Sequence, residues 1–340
     1  MSLTHLKLSH FTAFADLDLA LSPGINVFIG ANGTGKTHIL KALYAACEAS
    51  KPDRLFVEKL VSVFLPRDRH PGRLVRRQVG VDRCQIVVQR GRRRLGASFA
   101  TNQRRPEQAE LTGLRDWTGD AVRSIYIPVK EMLANAPGFR SLYSERVVHF
   151  EEVYADIVDR AFLPPLRGAP ASDRAYLLEL IGKSIRGRVV DEQETFYLQS
   201  PGGKLEFTLL AEGMRKLGLL YRLIQNGVLT DGSILFWDEP EANLNPSMMG
   251  TVVDILLALQ QMGVQVFLAT HDYVTLKQFD LKARAEHQVR YHALYLDPEA
   301  GDARANSTDS YLDIDPNAIS DAFADLYDAA LQRALEVGRQ

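Results

Sequence analysis

Gly30-Ala31-Asn32-Gly33-Thr34-Gly35-Lys36-Thr37 follows an apolar run, Ile25-Asn26-Val27-Phe28-Ile29. It opens a stretch in which Ile39, Leu40, Leu43 and Cys47 recur at helical spacing. The order predicted is strand, tight loop, helix, which is the context that the pattern G-x-x-x-x-G-K-[ST] requires. Glycines let the backbone fold tightly enough to aim several N–H groups at one phosphate chain. The helix that follows adds the positive end of its dipole at the same spot. Lys36 is placed to reach the β- and γ-phosphates and the Thr37 hydroxyl to ligate Mg²⁺, with His38 also counted around the nucleotide. A nucleoside-triphosphate site is therefore expected at Gly30, Ala31, Asn32, Gly33, Thr34, Gly35, Lys36 and Thr37.

A second apolar run, Ile234-Leu235-Phe236-Trp237, ends in Asp238-Glu239. A strand end places such carboxylates at the carboxyl edge of a sheet, where open α/β folds bind ligands. Asp238 is then suited to hold Mg²⁺ and Glu239 to orient or deprotonate an attacking water. Glu241-Ala242-Asn243-Leu244-Asn245-Pro246 comes directly after. Asn245 before Pro246 is a good N-cap and N1 pair, so helix initiation accounts for part of this stretch. His271 ends the next apolar strand, Leu268-Ala269-Thr270, where it would lie beside the γ-phosphate as a donor.

Around these anchors the chain reads in blocks. Leu3–Phe11 and Leu17–Leu21 alternate as two strands, and the helix after the loop stops at Lys51-Pro52-Asp53. From about Arg54 to Asp120 short alternating runs flank Gly91-Arg92-Arg93-Arg94, a hairpin tip. Between Arg67 and Arg105 twelve arginines face two aspartates. The stretch is either a solvated antiparallel subdomain with basic outer positions or a phosphate-binding surface for nucleic acid. No aromatic residues alternate with these arginines, so base stacking has no support. Val122–Ile127 is a short strand, residues 130–185 are mostly helical in spacing, and Thr195–Leu198 pairs with Leu205–Leu209. The remainder alternates helix and strand with a parallel βαβ rhythm, ending in a helix from about Pro316.

Length and composition fit a globular chain of 340 residues with a net charge of −2. That charge hides an asymmetry, because nine acids face one arginine between Asp297 and Asp328. No apolar run is long enough to span a bilayer, and the alternating N-terminus does not read as a signal peptide. Cys47 and Cys84 are far apart and match no metal spacing, so a reducing, cytoplasmic setting is expected.

Together these residues resemble the ABC-type ATPase superfamily over nearly the whole chain. In the family's terms Gly30–Thr37 is Walker A, Ile234–Glu239 is Walker B, Asn243–Pro246 is the D-loop and His271 the H-loop. The resemblance implies ATP and Mg²⁺ as cofactors, with Lys36, Glu239 and His271 catalytic, and a head-to-tail homodimer sandwiching two ATP molecules. Each site is completed by the partner's signature motif. Here the transporter signature is replaced by Leu210-Ala211-Glu212-Gly213-Met214-Arg215-Lys216, so Glu212, Gly213, Arg215 and Lys216 are the expected trans contacts. Gly213 would bring a helix N-terminus to the trans γ-phosphate, and Arg215 or Lys216 would replace the missing serine.

The A-E-G-x-R-K variant, with F-W-D-E-P-E-A-N-L-N-P behind it, resembles the RecF/SMC/OLD-like branch of stand-alone AAA-type ATPases. Those are typically bacterial, and many accompany a separate effector in phage-defence or toxin systems. Tyr126-Ile127-Pro128-Val129-Lys130-Glu131 sits where the branch has its Q-loop, and Lys130 or Glu131 stands in for the usual Gln, Glu131 as a further metal ligand. Phe11 and Phe14 belong either near the adenine or in the core. The implied fold is an α/β ABC-type ATPase head: a P-loop core with a mixed sheet, an antiparallel β subdomain and a helical lobe. Its parts are a core over residues 1–50 and 205–340, a basic β insert over 51–120 and a helical lobe over 121–204.

The function implied is a nucleotide-gated sensor or clamp acting on an effector protein or a nucleic acid, with anti-phage defence as its setting. A compact RecF/SMC-like repair ATPase is the alternative. A membrane-transporter subunit is disfavoured by the missing signature. A nuclease of the OLD type would use Asp313-Ile314-Asp315, which sits in a generally acidic tail.

Overall fold

The computed structural model describes residues 2–52, 55–145 and 148–337; Asp53 and Arg54, at the expected helix stop and start of the basic stretch, lie outside the described residues. The chain opens with β1 (Leu3–Phe11) and β2 (Phe14–Ala20), then passes through β3 (Ile25–Gly30) into α1 (Lys36–Glu48). Next come α2 (Phe56–Phe64), β4 (Arg83–Arg90), β5 (Arg93–Ala100), β6 (Glu110–Thr112), α3 (Leu114–Thr118) and β7 (Ser124–Ile127). Helices α4 (Phe139–Ser144), α5 (Glu152–Ala161) and α6 (Ser172–Ile185) lead to β8 (Arg188–Glu192), β9 (Thr195–Ser200) and β10 (Gly203–Glu206). The last third runs α7 (Glu212–Gln225), β11 (Ile234–Asp238), α8 (Met249–Gln261), β12 (Gln265–Thr270) and α9 (Tyr273–Lys282). It closes with β13 (Val289–Leu296), β14 (Ala303–Thr308) and α10 (Ala318–Val337).

The central sheet has the order β14-β13-β3-β12-β11-β7, parallel throughout except for the antiparallel edge strand β14. Strands β3, β11 and β12 are buried along their whole length, because the sheet is covered on both faces. Val27, Ile29, Leu235, Trp237, Val266 and Leu268 point into a core shared with α7 and α8. Phe28, Phe236, Phe267 and Ala269, the alternate residues, point into a second core with α1, α2 and β1. Each such large side chain contributes about 1.5–3 kcal/mol by leaving water.

Three boundaries differ from the sequence reading. Strands β1 and β2, expected with the nucleotide core, join β4, β5 and β6 in one antiparallel sheet of order β2-β1-β4-β5-β6. Leu6 and Leu8 of β1 pair with Val88 and Ile86 of β4 and are fully buried, so the basic stretch completes a sheet that the N-terminus begins. Strand β7, expected at the head of the helical lobe, is the edge of the core sheet and runs parallel to β11. Its Ile125, Tyr126 and Ile127 are too apolar to lie elsewhere. Finally, β8 adds a third strand to the expected pair, and β10 ends at Glu206; Phe207–Leu209 turn into a 3₁₀ helix that delivers Phe207 to the core.

Polar joints hold these layers together. Gln265, at the start of β12, accepts from Leu3 N–H (2.8 Å) and donates to the Leu3 and Ser22 carbonyls (2.8 and 2.7 Å), stapling β1 to the central sheet. Asp156 of α5 accepts from Tyr44 of α1 (2.6 Å) and Lys59 of α2 (2.5 Å). Burial pushes its carboxyl up, but Lys59 and Arg160 outweigh burial and hold it below the usual range.

His292 of β13 stacks on Phe28 at 4.6 Å and bridges Asn26 (3.2 Å) and Ser307 (2.7 Å). Burial, reinforced by the Arg290 charge, pushes its pKa down from 6.5 to about 3. A depressed value means that the neutral ring is the folded form, so its stabilisation is complete above the unfolded pKa and is lost as pH falls from there toward 3. Between pH 7 and pH 5, denaturant unfolding of the wild type should lose about 2 kcal/mol more than that of His292→Gln. Equal pH slopes for the two would refute the assignment.

A candidate nucleotide site at the carboxyl edge of the sheet

Strands β3, β12 and β11 end side by side, and their carboxyl ends bring Gly30, Thr270 and Asp238 to one edge. The loop from Gly30 to Gly35 leaves β3 there, with Ala31, Asn32 and Gly33 exposed and Lys36 starting α1. Gly30, Gly33 and Gly35 all have positive φ (142°, 84° and 91°). A Cβ at Gly30 would collide with the Leu294 carbonyl, and one at Gly35 with the Phe14 ring. At Gly33 a Cβ would meet nothing within 4 Å, so that side of the loop is open. Thr34 closes the turn by donating to the Ala31 carbonyl (2.9 Å). Phe11 and Phe14 are both fully buried, Phe11 edge-on to Phe64 at 5.5 Å, which decides for the core.

Lys36 lies along the loop, donating to the carbonyls of Gly30 (2.6 Å) and Ala31 (3.0 Å). Burial lowers its pKa, opposed by the charges of Glu239, Asp238 and Glu241. Thr37 Oγ1 donates to one oxygen of Asp238 at 3.1 Å, and the Tyr126 hydroxyl donates to the other at 3.0 Å. Burial raises the Asp238 pKa, while those two hydrogen bonds work against it. Tyr126 escaped the sequence reading as a site residue, since nothing local marks a strand tyrosine as the partner of an acid 112 residues away.

Glu239 has φ +47°, a left-handed conformation that costs a non-glycine residue free energy and is common where function demands it. Its backbone N–H is held by the Ala269 carbonyl (2.9 Å), and its carboxylate stands 3.4 Å from His271 Nδ1. Glu241 stands at the same distance from that nitrogen. It is a second residue the sequence reading did not place in the site. Asn243 is exposed with φ +62°, and Asn245 caps the next turn by accepting from Ser247 N–H (3.0 Å).

The start of α7 packs against this turn: a Cβ on Gly213 would lie 3.0 Å from the Asn243 carbonyl and 2.8 Å from Leu244. Ala211 is exposed and Glu212 half-buried, so the helix N-terminus is presented outward. Lys216 differs from expectation. It is buried, and its ammonium donates to the carbonyls of Ala242 (2.7 Å) and Glu239 (3.3 Å), so it braces its own chain rather than offering a free donor to a partner.

Glu131 is likewise corrected. Its carboxylate accepts from the N–H groups of Leu133 and Ala134 and stands 3.6 Å from Arg215 Nε, so its lone pairs are committed away from Thr37 and Asp238. Burial raises its pKa, which those N–H groups oppose. Lys130 is exposed. The His38 ring packs on Phe64 at 5.4 Å, and burial pushes its pKa to about 4, so its neutral side chain belongs to the α1–α2 contact.

Among the described residues no group of three or more His, Cys, Asp or Glu could hold a metal, and Asp313 and Asp315 are simply exposed. No helix among them is long and apolar enough to cross a membrane. Of the arginines between 67 and 105, Arg90 is buried over Trp117 and donates to the Trp117 and Asp120 carbonyls. Arg76 donates to the Ala13 and Gly301 carbonyls, Arg83 pairs with Glu110 and Arg93 with Asp120. Arg67, Arg69, Arg73, Arg77, Arg92, Arg94, Arg104 and Arg105 are exposed, and Arg92 and Arg94 line a shallow groove with Arg115.

A protein-family model described as "AAA domain, putative AbiEii toxin, Type IV TA system" matches residues 25–277. The chain is 54% identical over 44 residues to the DNA replication and repair protein RecF of Enterobacter sp. (strain 638), and equally to that of Cronobacter sakazakii. The matched stretch is 13% of this chain and 12% of each relative. Among solved structures the chain is similar to an SMC head bound to the C-winged helix domain of ScpA, with a TM-score of 0.57 and 14% identity over 91% of this chain and 98% of that one. It is also similar to an Smc head domain with an extended coiled coil, bound to the C-terminal domain of ScpA derived from Pyrococcus furiosus. There the TM-score is 0.54 and the identity 12%, over 96% of this chain and 99% of that one. At these identities the likeness is one of fold.

Tyr126→Phe removes a donor from a buried carboxylate and should cost about 1–3 kcal/mol in denaturant unfolding at neutral pH. An unchanged midpoint would mean that the hydroxyl is not bonded to Asp238.

Proposed function

This chain belongs to the AAA-domain family of RecF- and SMC-like ABC-type ATPases, and on that footing we propose that it binds ATP with Mg²⁺ and hydrolyses it between two copies of itself. The observation that carries the reading is the contact of Thr37 with Asp238 beside an outward-facing Glu239 and His271. A hydroxyl and a carboxylate are hard oxygen donors, suited to Mg²⁺, which keeps several waters and takes other ligands from phosphates. The bound ion would neutralise charge on the terminal phosphates. Lys36 would exchange its loop carbonyls for phosphate oxygens, while the backbone N–H groups of Gly33 to Thr37 and of His38 cradle the chain. Glu239 would orient the attacking water and draw off its proton, and His271 would donate to the terminal phosphate.

The surfaces that are open support the dimer. Ala31, Asn32 and Gly33 are exposed on one side of the site, and Ala211 with Asn243 and Asn245 on another. In a two-fold, head-to-tail pair the α7 start of each copy would face the loop of the other, so ATP at the interface would stabilise the dimer. Arg215, whose Nε stands by Glu131 while its side chain is 20% exposed, is the side chain there proposed to reach a trans phosphate.

A separate effector protein is proposed as the partner, in toxin or anti-phage defence. The toxin–antitoxin wording of the family description and the ScpA-bound state of the SMC heads support this. Nucleic acid is proposed as a second ligand through Arg92, Arg94, Arg104 and Arg105. The free, buried thiols of Cys47 and Cys84 support a cytoplasmic setting.

Glu239→Gln should lower ATP turnover about 10²- to 10⁴-fold and trap a dimer with ATP, visible by size-exclusion chromatography with light scattering. A monomer with ATP bound would sink the shared-site reading, and an effector or nucleic acid co-purifying with the trapped dimer would identify the partner. Arg215→Ala should reduce turnover at least about tenfold more than ATP affinity; equal losses would remove it from the trans site.

A further inference from the structure

Glu241 lies two residues beyond Glu239 and is the more enclosed of the two, its side chain 10% exposed against 28%. One oxygen, Oε1, gathers a set of contacts at the end of β12. The Thr270 hydroxyl donates to it at 2.8 Å and the His271 backbone N–H at 3.0 Å, and His271 Nδ1 stands 3.4 Å away. Thr270 Oγ1 accepts in turn from Asp272 N–H (3.1 Å), and Asp272 caps α9 through Thr275 N–H and hydroxyl (2.7 and 2.6 Å). This carboxylate thus holds the His271 backbone directly and the Asp272 backbone through the Thr270 hydroxyl.

The other oxygen, Oε2, is buried and has no hydrogen-bond partner. A buried acceptor left idle costs about 1–3 kcal/mol, so a turn that needed only an acceptor would do better with a smaller or neutral side chain. The ring is oriented to match. Nδ1 faces Glu239 and Glu241 together, and the His271 side chain is 45% exposed, so Nε2 is the ring nitrogen these two acids leave free. With Nδ1 facing two carboxylates, Nε2 is the nitrogen left for a phosphoryl oxygen, to which it donates when both ring nitrogens carry protons.

We infer that Glu241 is the positioning residue of His271, holding its backbone and its ring so that Nε2 meets the terminal phosphate. The inference rests on the ATPase reading above and assigns Glu241 no contact with nucleotide. Glu239 keeps the separate task of serving the water.

The test is a double-mutant cycle on the full chain, with steady-state turnover of Mg²⁺·ATP. Glu241→Ala should lower kcat about 10- to 100-fold with KM for ATP within about twofold of wild type. Glu241→Gln, which keeps a carbonyl oxygen for Thr270 and the His271 N–H, should recover most of the loss. In the His271→Ala background, Glu241→Ala should cost less than about twofold more, because the residue it positions is already gone. Should Glu241→Ala fail to fold, Thr270→Val removes one donor to the same oxygen. Its smaller kcat loss should also vanish in the His271→Ala background. Losses that multiply, or a raised KM with kcat intact, would overturn the inference alone. A wild type without ATP turnover would overturn the ATPase reading and this inference with it.

Discussion

Asp238 keeps its carboxyl group in a place that water hardly reaches, and the arrangement around it depends on how its two oxygens are satisfied. Its two oxygens are divided between Thr37 on α1 and Tyr126 on β7. Strand β11 therefore holds the helix that begins at the phosphate loop and the strand on its far side. Removing either hydroxyl leaves a desolvated acceptor, whose penalty exceeds the modest net gain of a satisfied hydrogen bond. The same bonds that keep the fold in register also bring a hydroxyl and a carboxylate together at the sheet edge. Stability and site geometry are thus set by one group of atoms.

The sheet edge is rigid because the sheet itself has no free face. Alternate residues of β3, β11 and β12 feed two separate cores, so a shift of one residue in register would move every side chain into the wrong one. Gln265 and Asn26 add polar anchors at the other end of the strands, where Gln265 binds Leu3 and Ser22 and Asn26 binds Ser22 at both N–H and carbonyl. With both ends fixed, the loops at the carboxyl edge can be exposed and conformationally strained, as Glu239 is, without loosening the strands that carry them.

What was legible in the sequence was the placement encoded by neighbours along the chain. The loop Gly30–Thr37, the Asp238-Glu239 strand end and His271 each sit in a local pattern that names their place. Tyr126, Glu241 and Lys216 act across the fold, and no local pattern distinguishes a buried brace from a surface residue. Glu131 and Lys216 are of types that suit metal and phosphate, whereas their environment commits them to Leu133, Ala134, Ala242 and Glu239. The boundary between core and basic insert failed for a related reason. Alternation reveals which face of β1 is buried but not that its partner is β4, far along the chain. A count of arginines likewise did not show that Arg90 and Arg76 are spent on carbonyls inside the molecule.

The three glycines of the phosphate loop do not owe their places to one cause. Gly30 and Gly35 are demanded by the protein itself, by the Leu294 carbonyl and the Phe14 ring that leave no room for a Cβ. Gly33 has space on every side, so only its left-handed backbone and whatever docks against it call for glycine. Two requirements are therefore written over the same eight letters. A descendant released from nucleotide binding would still be held to Gly30 and Gly35 by its own packing, and to Gly33 only by its left-handed backbone. The motif can outlive its activity, and Gly33 is the letter at which the two histories part.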